Sequence, residues 1–110
     1  MTELVVTTPD GAKLRARRHG QGRPLVLVSG LGGTAGFWDP AIALLGSEFE
    51  LITFDQRGIA GSSRGSAAVD IAQLAADVLT VCDTMGVERA DFLGHSTGGC
   101  IVQTIAATAP

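Results

Sequence analysis

The feature that most constrains the fold of this 110-residue chain is an alternation of apolar runs with helix-compatible segments. The runs expected to form buried strands and the segments expected to form helices follow one another at residues 24–29, 37–47, 50–55, 70–85, 90–94 and 100–109. A connection through a helix returns the chain to the same end of the sheet, so strands joined in this way run parallel. The alternation therefore predicts an α/β fold with parallel strands and crossover helices.

Two strand-like runs precede this alternation, at residues 3–8 and 13–19. Between them lies Pro9-Asp10-Gly11, a typical turn sequence, because proline presets a negative φ and glycine readily adopts a positive one. We therefore expect an N-terminal antiparallel hairpin.

The segment 70–85 has the clearest helical periodicity. Asp70 is expected to cap the helix with Gln73 at the third helical position, and Gly86 to end it. The apolar positions recur at helical spacing and should face the core: Ile71, Leu74, Ala75, Val78, Leu79, Cys82 and Met85.

Two further sets of side chains are expected to be buried. In the short helix after the first buried strand, Ile42, Leu44 and Leu45 should lie on the inner side. Cys82 and Cys100 both occur in apolar, helix-like surroundings, which favours buried free thiols over a disulfide. Neither their number nor their spacing suggests a metal site, and no cofactor is expected.

The composition indicates a folded chain, with 45% hydrophobic and 17% charged residues. The net charge of −3 and the absence of a basic patch beyond Arg15-Ala16-Arg17-Arg18 give no electrostatic case for nucleic acid. The N-terminus lacks the features of a signal peptide, and no apolar run approaches the ~18 residues of a membrane span. The expectation is a cytoplasmic, soluble chain without a membrane partner.

A serine flanked by glycines, Gly94-His95-Ser96-Thr97-Gly98, stands between an apolar run and a helical segment. This G-x-S-x-G pattern is typical of a sharp strand-to-helix turn that lifts the serine hydroxyl above the end of a sheet. The turn strains the serine backbone and leaves no room for side chains two residues before or after. The pattern therefore makes Ser96 a candidate nucleophile.

A dinucleotide-binding unit is an alternative interpretation of the glycine-rich segment after the first buried strand. Gly30-Leu31-Gly32-Gly33-Thr34-Ala35 fits G-x-G-x-x-G/A, and Asp55 lies twenty residues beyond Ala35. However, the helix of such a unit would contain Pro40, which costs ~3 kcal/mol in a helix interior. A hairpin also precedes the strand, and Gln56-Arg57-Gly58 after Asp55 belongs to a different pattern.

Three segments in order, residues 28–33 (VSGLGG), 54–58 (FDQRG) and 94–99 (GHSTGG), resemble the α/β-hydrolase superfamily. The resemblance is close to the group that contains 3-oxoadipate enol-lactonase and aminoacrylate hydrolase. It implies a sheet of strand order 1-2-4-3-5. It also implies that residues 1–110 form the N-terminal part of one α/β-hydrolase domain, with the cap and the C-terminal strands absent.

The resemblance also assigns roles to residues. Ser96 matches the nucleophile, and the backbone N–H groups of Thr97 and Leu31 match the two donors that stabilise an oxyanion. Asp55 and Arg57 match a structural D-x-R-G turn, expected to be ion-paired and to support the active-site loops. The structural motif residues are Gly30, Asp55, Arg57, Gly58, Gly94 and Gly98.

The chain departs from many members of the family at two positions. Ser29 precedes Gly30 where a histidine is common, and Ala60 stands at the second glycine of D-x-R-G-x-G-x-S. The aromatic residues Phe37 and Trp38 are expected in the core or in a pocket wall. These differences affect the subfamily more than the class.

The usual partners of a serine nucleophile are missing from this sequence. A base oriented by a carboxylate activates the serine, and in this superfamily both follow it in the chain. Residues 97–110 contain no Asp, Glu or His. His95 should point away from Ser96, and His19 ends the hairpin far from it. We therefore expect this chain alone to be inactive.

The resemblance implies a serine hydrolase of the carboxylic ester hydrolase type. Its small-molecule substrate would contain an ester, lactone, amide or carbamate-like acyl bond, cleaved through an acyl-enzyme at Ser96. The alternatives are a non-catalytic α/β association module and cofactor-independent peroxidase chemistry on the same scaffold. The strand before Ser96 would lack its next neighbour, so self-association through this sheet edge is also expected.

Overall fold

The computed structural model describes residues 1–109, in which five strands form one sheet of order β1-β2-β4-β3-β5. The strands are β1 (Thr2–Thr7), β2 (Lys13–Gly20), β3 (Arg23–Val28), β4 (Phe49–Phe54) and β5 (Asp91–Gly94). β1 and β2 form the antiparallel hairpin, β2 is antiparallel to β4, and β3 is parallel to both β4 and β5. The α/β fold class and the strand order 1-2-4-3-5 are confirmed.

Two helices connect the parallel strands, and a third follows β5. They are α1 (Asp39–Leu45), which follows a single 3-10 turn (Ala35–Trp38), α2 (Ile71–Thr84) and α3 (Thr97–Thr108). The Gln73 N–H donates to the Asp70 carboxylate over 2.8 Å, so Asp70 caps α2 as expected. Gly86 follows α2 with a φ of +71°. Within residues 1–109, none of the helices combines the length and the apolar character that a membrane span requires.

The two faces of the sheet carry separate hydrophobic cores. The larger core lies between the sheet and helices α2 and α3, and its fully buried members include Leu14, Val26, Val28, Ile52, Val78 and Ile101. The smaller core lies on the α1 face and consists of Leu25, Leu27, Trp38 and Leu51. Because β3 and β4 bury both faces, their side chains are apolar almost throughout.

Two predicted burials are wrong. Leu44 is 81% exposed, because Ile42 and Leu45 face the smaller core and a residue two positions from Ile42 lies about 200° around the helix. Cys100 is also exposed, since the first turn of α3 turns it away from the core. Cys82 is a buried free thiol, and burial raises its pKa to about 11.

Two helix boundaries also differ from the prediction. α3 begins at Thr97, directly after the sharp turn, and not at residue 100. Its first turn contains Gly98 and Gly99, which have poor helix propensity, so the sequence pattern favours a later start. The predicted helix 37–47 is split into the 3-10 turn and α1, in which Pro40 occupies the first turn, where its missing N–H costs nothing.

Candidate functional site

Ser96 lies at the junction of β5 and α3, at the carboxyl end of the parallel strands. Its backbone has φ +58° and ψ −124°, a combination that is costly for a residue with a side chain. The residue is exposed. Strained backbone of this kind persists only where the surrounding structure enforces it, and here it presents the serine side chain at the surface.

The glycines on both sides of Ser96 are required by close backbone packing. A Cβ atom on Gly94 would overlap the carbonyl oxygen of Gly98, and one on Gly98 would overlap the carbonyl oxygen of Val28. α3 therefore begins in direct contact with the ends of β3 and β5. Any side chain at either glycine would force the turn apart.

The glycine-rich loop after β3 lies against this turn. The position of a Cβ atom on Gly30 would be 3.3 Å from the Ser96 Cβ and 3.6 Å from its Oγ. The Gly33 N–H donates to the Gly30 carbonyl over 2.9 Å, which closes the loop into a tight turn. Leu31, within this turn, is 69% exposed.

Two backbone N–H groups in these segments donate no hydrogen bond within residues 1–109: that of Thr97, which follows Ser96, and that of Leu31, in the glycine-rich loop. The next two amides of α3 are used, since Gly98 donates to His95 over 2.9 Å and Gly99 donates to Ser96 over 2.8 Å. The first amides of a helix have no partner inside it and favour negative charge.

Asp55 connects the loops around the site. Its carboxylate accepts hydrogen bonds from the Ala35 N–H at 2.8 Å and the Gly61 N–H at 3.1 Å. The first bond holds the end of the glycine-rich loop, and the second holds the loop that follows β4. Asp55 is 6% exposed. It is thus a structural link between loops, as the D-x-R-G pattern suggests.

Arg57 is ion-paired, but with carboxylates other than Asp55. Its guanidinium makes two bonds of 2.7 Å to Asp77 on α2, and bonds of 2.7 and 3.0 Å to Asp10 in the hairpin turn. A further bond of 3.0 Å reaches the Arg64 carbonyl, so all five N–H donors of this fully buried side chain are used. Gly58, with φ +76°, continues the turn.

These contacts stabilise the charged forms of both Arg57 and Asp10, so the two pKa values shift in opposite directions. Asp77 and Asp10 raise the pKa of Arg57 above its usual value. Arg57, followed by a hydrogen bond from Thr8, holds the pKa of Asp10 well below its usual range. The network joins three separate elements: the β1–β2 turn, the loop after β4 and α2.

Two members of this network, Asp10 and Asp77, were not identified from the sequence as functional or structural partners. Asp77 had a detectable signal. It lies three residues after Leu74 and four before Val81, on the apolar stripe of α2. A carboxylate in such a position is buried and requires a cationic partner.

The aromatic residues near Ser96 divide between core and surface. Trp38 is buried in the smaller core, whereas Phe37 is half exposed. The Phe37 ring packs against the His95 imidazole with centroids 5.0 Å apart. His95 therefore lies against the 3-10 turn, next to the glycine-rich loop.

No base for Ser96 comes from the other histidine. His19 pairs with Leu51 on β4, and β2 is three strands away from β5. Three strand spacings amount to about 14 Å. Burial lowers the pKa of the His19 imidazole, which favours its neutral form. Within residues 1–109, no cluster of three or more His, Cys, Asp or Glu side chains is arranged to hold a metal ion.

Comparison with known proteins gives a consistent result. Residues 23–110 match the model of the alpha/beta hydrolase fold family. A protein of Azorhizobium caulinodans named as a carbamate hydrolase, RutD, is 40% identical over 92 residues, which are 84% of this chain and 35% of the relative. A relative of the same name from Stutzerimonas stutzeri is 37% identical over 97 residues, 84% of this chain and 37% of the relative.

Solved structures agree in fold. A hydrolase from Pseudomonas aeruginosa PA01 superposes with a TM-score of 0.92 at 35% identity, covering 99% of this chain and 42% of that one. An enol-lactonase from Burkholderia xenovorans LB400 has a TM-score of 0.87 at 31% identity, covering 98% of this chain and 42% of that one.

The chain spans 35–37% of the length of the two carbamate hydrolase relatives. It belongs to the alpha/beta hydrolase fold family.

Proposed function

We propose that this chain carries the nucleophile and oxyanion site of a serine hydrolase, and that Ser96 forms an acyl-enzyme. The observation that carries the proposal is the exposed, strained Ser96 with two unused N–H donors, from Leu31 and Thr97, in the adjoining backbone. Donors fixed where negative charge develops are worth more in the transition state than in the ground state, because no reorganisation is needed.

In the proposed reaction, the Ser96 Oγ attacks a carbonyl carbon while its proton passes to a base. The carbonyl oxygen becomes an oxyanion that accepts hydrogen bonds from Leu31 and Thr97. Collapse of the tetrahedral intermediate expels the alcohol or amine, which takes up the proton, and water then hydrolyses the Ser96 ester. The base and its orienting carboxylate would come from a segment following Ser96, as is usual in this superfamily.

We propose as substrate class a carbonyl compound with an oxygen or nitrogen leaving group: an ester, lactone, amide or carbamate. The relatives support this range, because one group is named as carbamate hydrolases and one structural neighbour is named as an enol-lactonase. Carbamates and lactones are both cleaved by the same kind of acyl transfer.

A second candidate is a non-catalytic association module. The observation that favours it is the position of His19, which lies three strands away from β5 and therefore does not serve as a base for Ser96. The two candidates make opposite predictions for a mixture of this chain with the C-terminal segment of a full-length relative.

The test compares hydrolysis of p-nitrophenyl acetate by the chain alone and by the chain mixed with the C-terminal segment of the Azorhizobium relative. We expect no Ser96-dependent turnover from the chain alone, since activation of the serine needs the base. The mixture should hydrolyse the ester, and Ser96→Ala should abolish this hydrolysis.

Ser47→Ala is the matched control, because Ser47 is an exposed loop serine away from the turn. It should leave the activity of the mixture unchanged. A mixture that forms a stable complex but lacks Ser96-dependent activity would favour the association module. Hydrolysis by the chain alone that Ser96→Ala removes would show that another group, with His95 the first to test, serves as base.

A further inference from the structure

Gln56 holds the glycine-rich loop at both ends. It lies in the turn after β4, between Asp55 and Arg57, and is 3% exposed. Its backbone N–H donates to the Gly33 carbonyl over 3.3 Å, and its side-chain Nε2 donates to the Ser29 carbonyl over 3.1 Å. The turn from Ser29 to Gly33 is thus attached to one residue through two separate bonds.

The Ser29 carbonyl that Gln56 holds also lies against the first turn of α3. A Cβ atom on Gly98 would be 3.0 Å from this oxygen. Leu31 lies in the middle of the held turn, and Thr97 precedes Gly98. A movement of the Ser29 carbonyl would therefore change the distance between the two unused N–H groups.

We propose that Gln56 is a positioning residue for the oxyanion site: its side-chain amide sets the Leu31 N–H in place by holding the Ser29 carbonyl. This inference rests on the proposed function. Its physical basis is that a buried carbonyl without a donor is costly, so loss of the Nε2 bond would drive the Ser29 peptide to reorient toward another donor or water.

The first test uses the 110-residue chain and amide hydrogen exchange measured by NMR. Gln56→Met keeps the side-chain length and removes the Nε2 donor together with the buried Oε1 oxygen, which accepts no hydrogen bond within residues 1–109, so the Nε2 bond is the one bond lost. The protection of the Gly33 amide should fall about five- to tenfold, as expected for one net hydrogen bond, with no change at Val78 in α2. An equal loss at Val78, or no loss at Gly33, would overturn the proposal.

Ser29→Ala is the matched control in the same loop. The Ser29 hydroxyl is buried without a hydrogen-bond partner in the described part of the chain. Its removal breaks no bond, so the protection of Gly33 should stay within about twofold of the wild-type value. A loss as large as that of Gln56→Met would show that packing in the loop, and not the amide donor, controls its order.

A second variant, Gln56→Glu, keeps the side-chain size, and its ability to donate a hydrogen bond depends on pH. As a neutral acid its O–H can donate to the Ser29 carbonyl, whereas as a carboxylate it can only accept. The protection factor of Gly33 should therefore be near wild type at acidic pH and fall as the pH rises. A protection factor independent of pH would overturn the assignment of the donor role, even if Gln56→Met does not fold.

The catalytic consequence is tested in the reassembled protein described above. Small misplacement of a catalytic group costs up to about 100-fold, so Gln56→Met should lower kcat about ten- to 100-fold with KM within about twofold. An increase in KM at unchanged kcat would overturn the positioning role. If the wild-type mixture has no Ser96-dependent activity, the proposed function fails, whereas the exchange results still decide whether Gln56 holds the loop.

Discussion

Ala60 adopts a backbone conformation that suits glycine. Its φ is +48°, and Ala60 and Ser96 are the two non-glycine residues with positive φ within residues 1–109. Left-handed backbone costs a residue with a Cβ about 1–2 kcal/mol. Ser96 has a functional candidate role that explains its strain, whereas Ala60 lies exposed in the loop after β4.

We therefore expect Ala60→Gly to stabilise the chain by about 0.5 kcal/mol, because relief of strain exceeds the added entropy of the unfolded chain. The free energy of unfolding from urea titration measures this change. Ala76→Gly, at an exposed position within α2, is the control and should destabilise by about 1 kcal/mol. Equal destabilisation by both substitutions would show that the Ala60 backbone is not strained.

At the level of elements, the Arg57 network attaches the β1–β2 turn to α2 and to the loop after β4. Arg57 bridges Asp10 and Asp77, which are 47 positions before it and 20 positions after it in sequence. Asp10 also accepts bonds from the backbone N–H groups of Ser66 and Ala67. The loops around Ser96 are therefore connected to a network that spans most of the chain.

The low pKa of Asp10 makes part of the stability depend on pH. Its folded pKa lies below the ordinary value of 3.8, so its contribution is fully present above that value and is lost as the pH falls below it. Asp10→Asn should lower the Tm at pH 7 and should weaken the dependence of Tm on pH below about pH 4.

Thermal unfolding followed by circular dichroism from pH 7 to pH 2.5 tests this expectation. Glu88→Gln is the control, because Glu88 is exposed and makes no ion pair within residues 1–109. It should leave both the Tm at pH 7 and its acid dependence close to wild type. An unchanged acid dependence in Asp10→Asn would show that other carboxylates control acid unfolding.

At the scale of the whole molecule, the sheet has two open edges, and β5 forms the one next to Ser96. β5 is an edge strand paired only with β3, and Leu93 is 47% exposed on its α1 face. On the other face, a groove of about 950 Å³ runs between β5 and α3. An edge strand with free backbone groups and apolar neighbours favours pairing with another strand.

We propose that a second copy of this chain pairs with the β5 edge. The apparent mass in analytical ultracentrifugation should rise with concentration, and Leu93→Lys should shift the chain toward monomer, since lysine on an edge discourages pairing. Leu44→Lys is the control, because Leu44 is an equally apolar, exposed residue on α1. Equal effects of the two substitutions, or a wild-type chain that stays monomeric, would contradict pairing through β5.

The sequence by itself determined the features that depend on neighbouring residues. The alternation of apolar runs and helical periodicity predicted the α/β class, and the motif resemblance added the strand order 1-2-4-3-5, both of which the structure confirms. The Asp70 cap also followed from local chemistry. These features can be predicted from the sequence because neighbouring residues determine backbone conformation and hydrophobic periodicity.

Only the tertiary structure decided which distant groups meet. Three contacts join segments that are 20 to 66 positions apart in sequence. They are the ion pairs of Arg57, the hydrogen bond from Gln56 to the Ser29 carbonyl, and the close approach of Gly30 to Ser96. The exposure of Leu44 and Cys100 likewise depended on how far each short helix turns before it meets the sheet. Local periodicity carries no information on such contacts, because they arise from the packing of elements whose relative positions the whole fold determines.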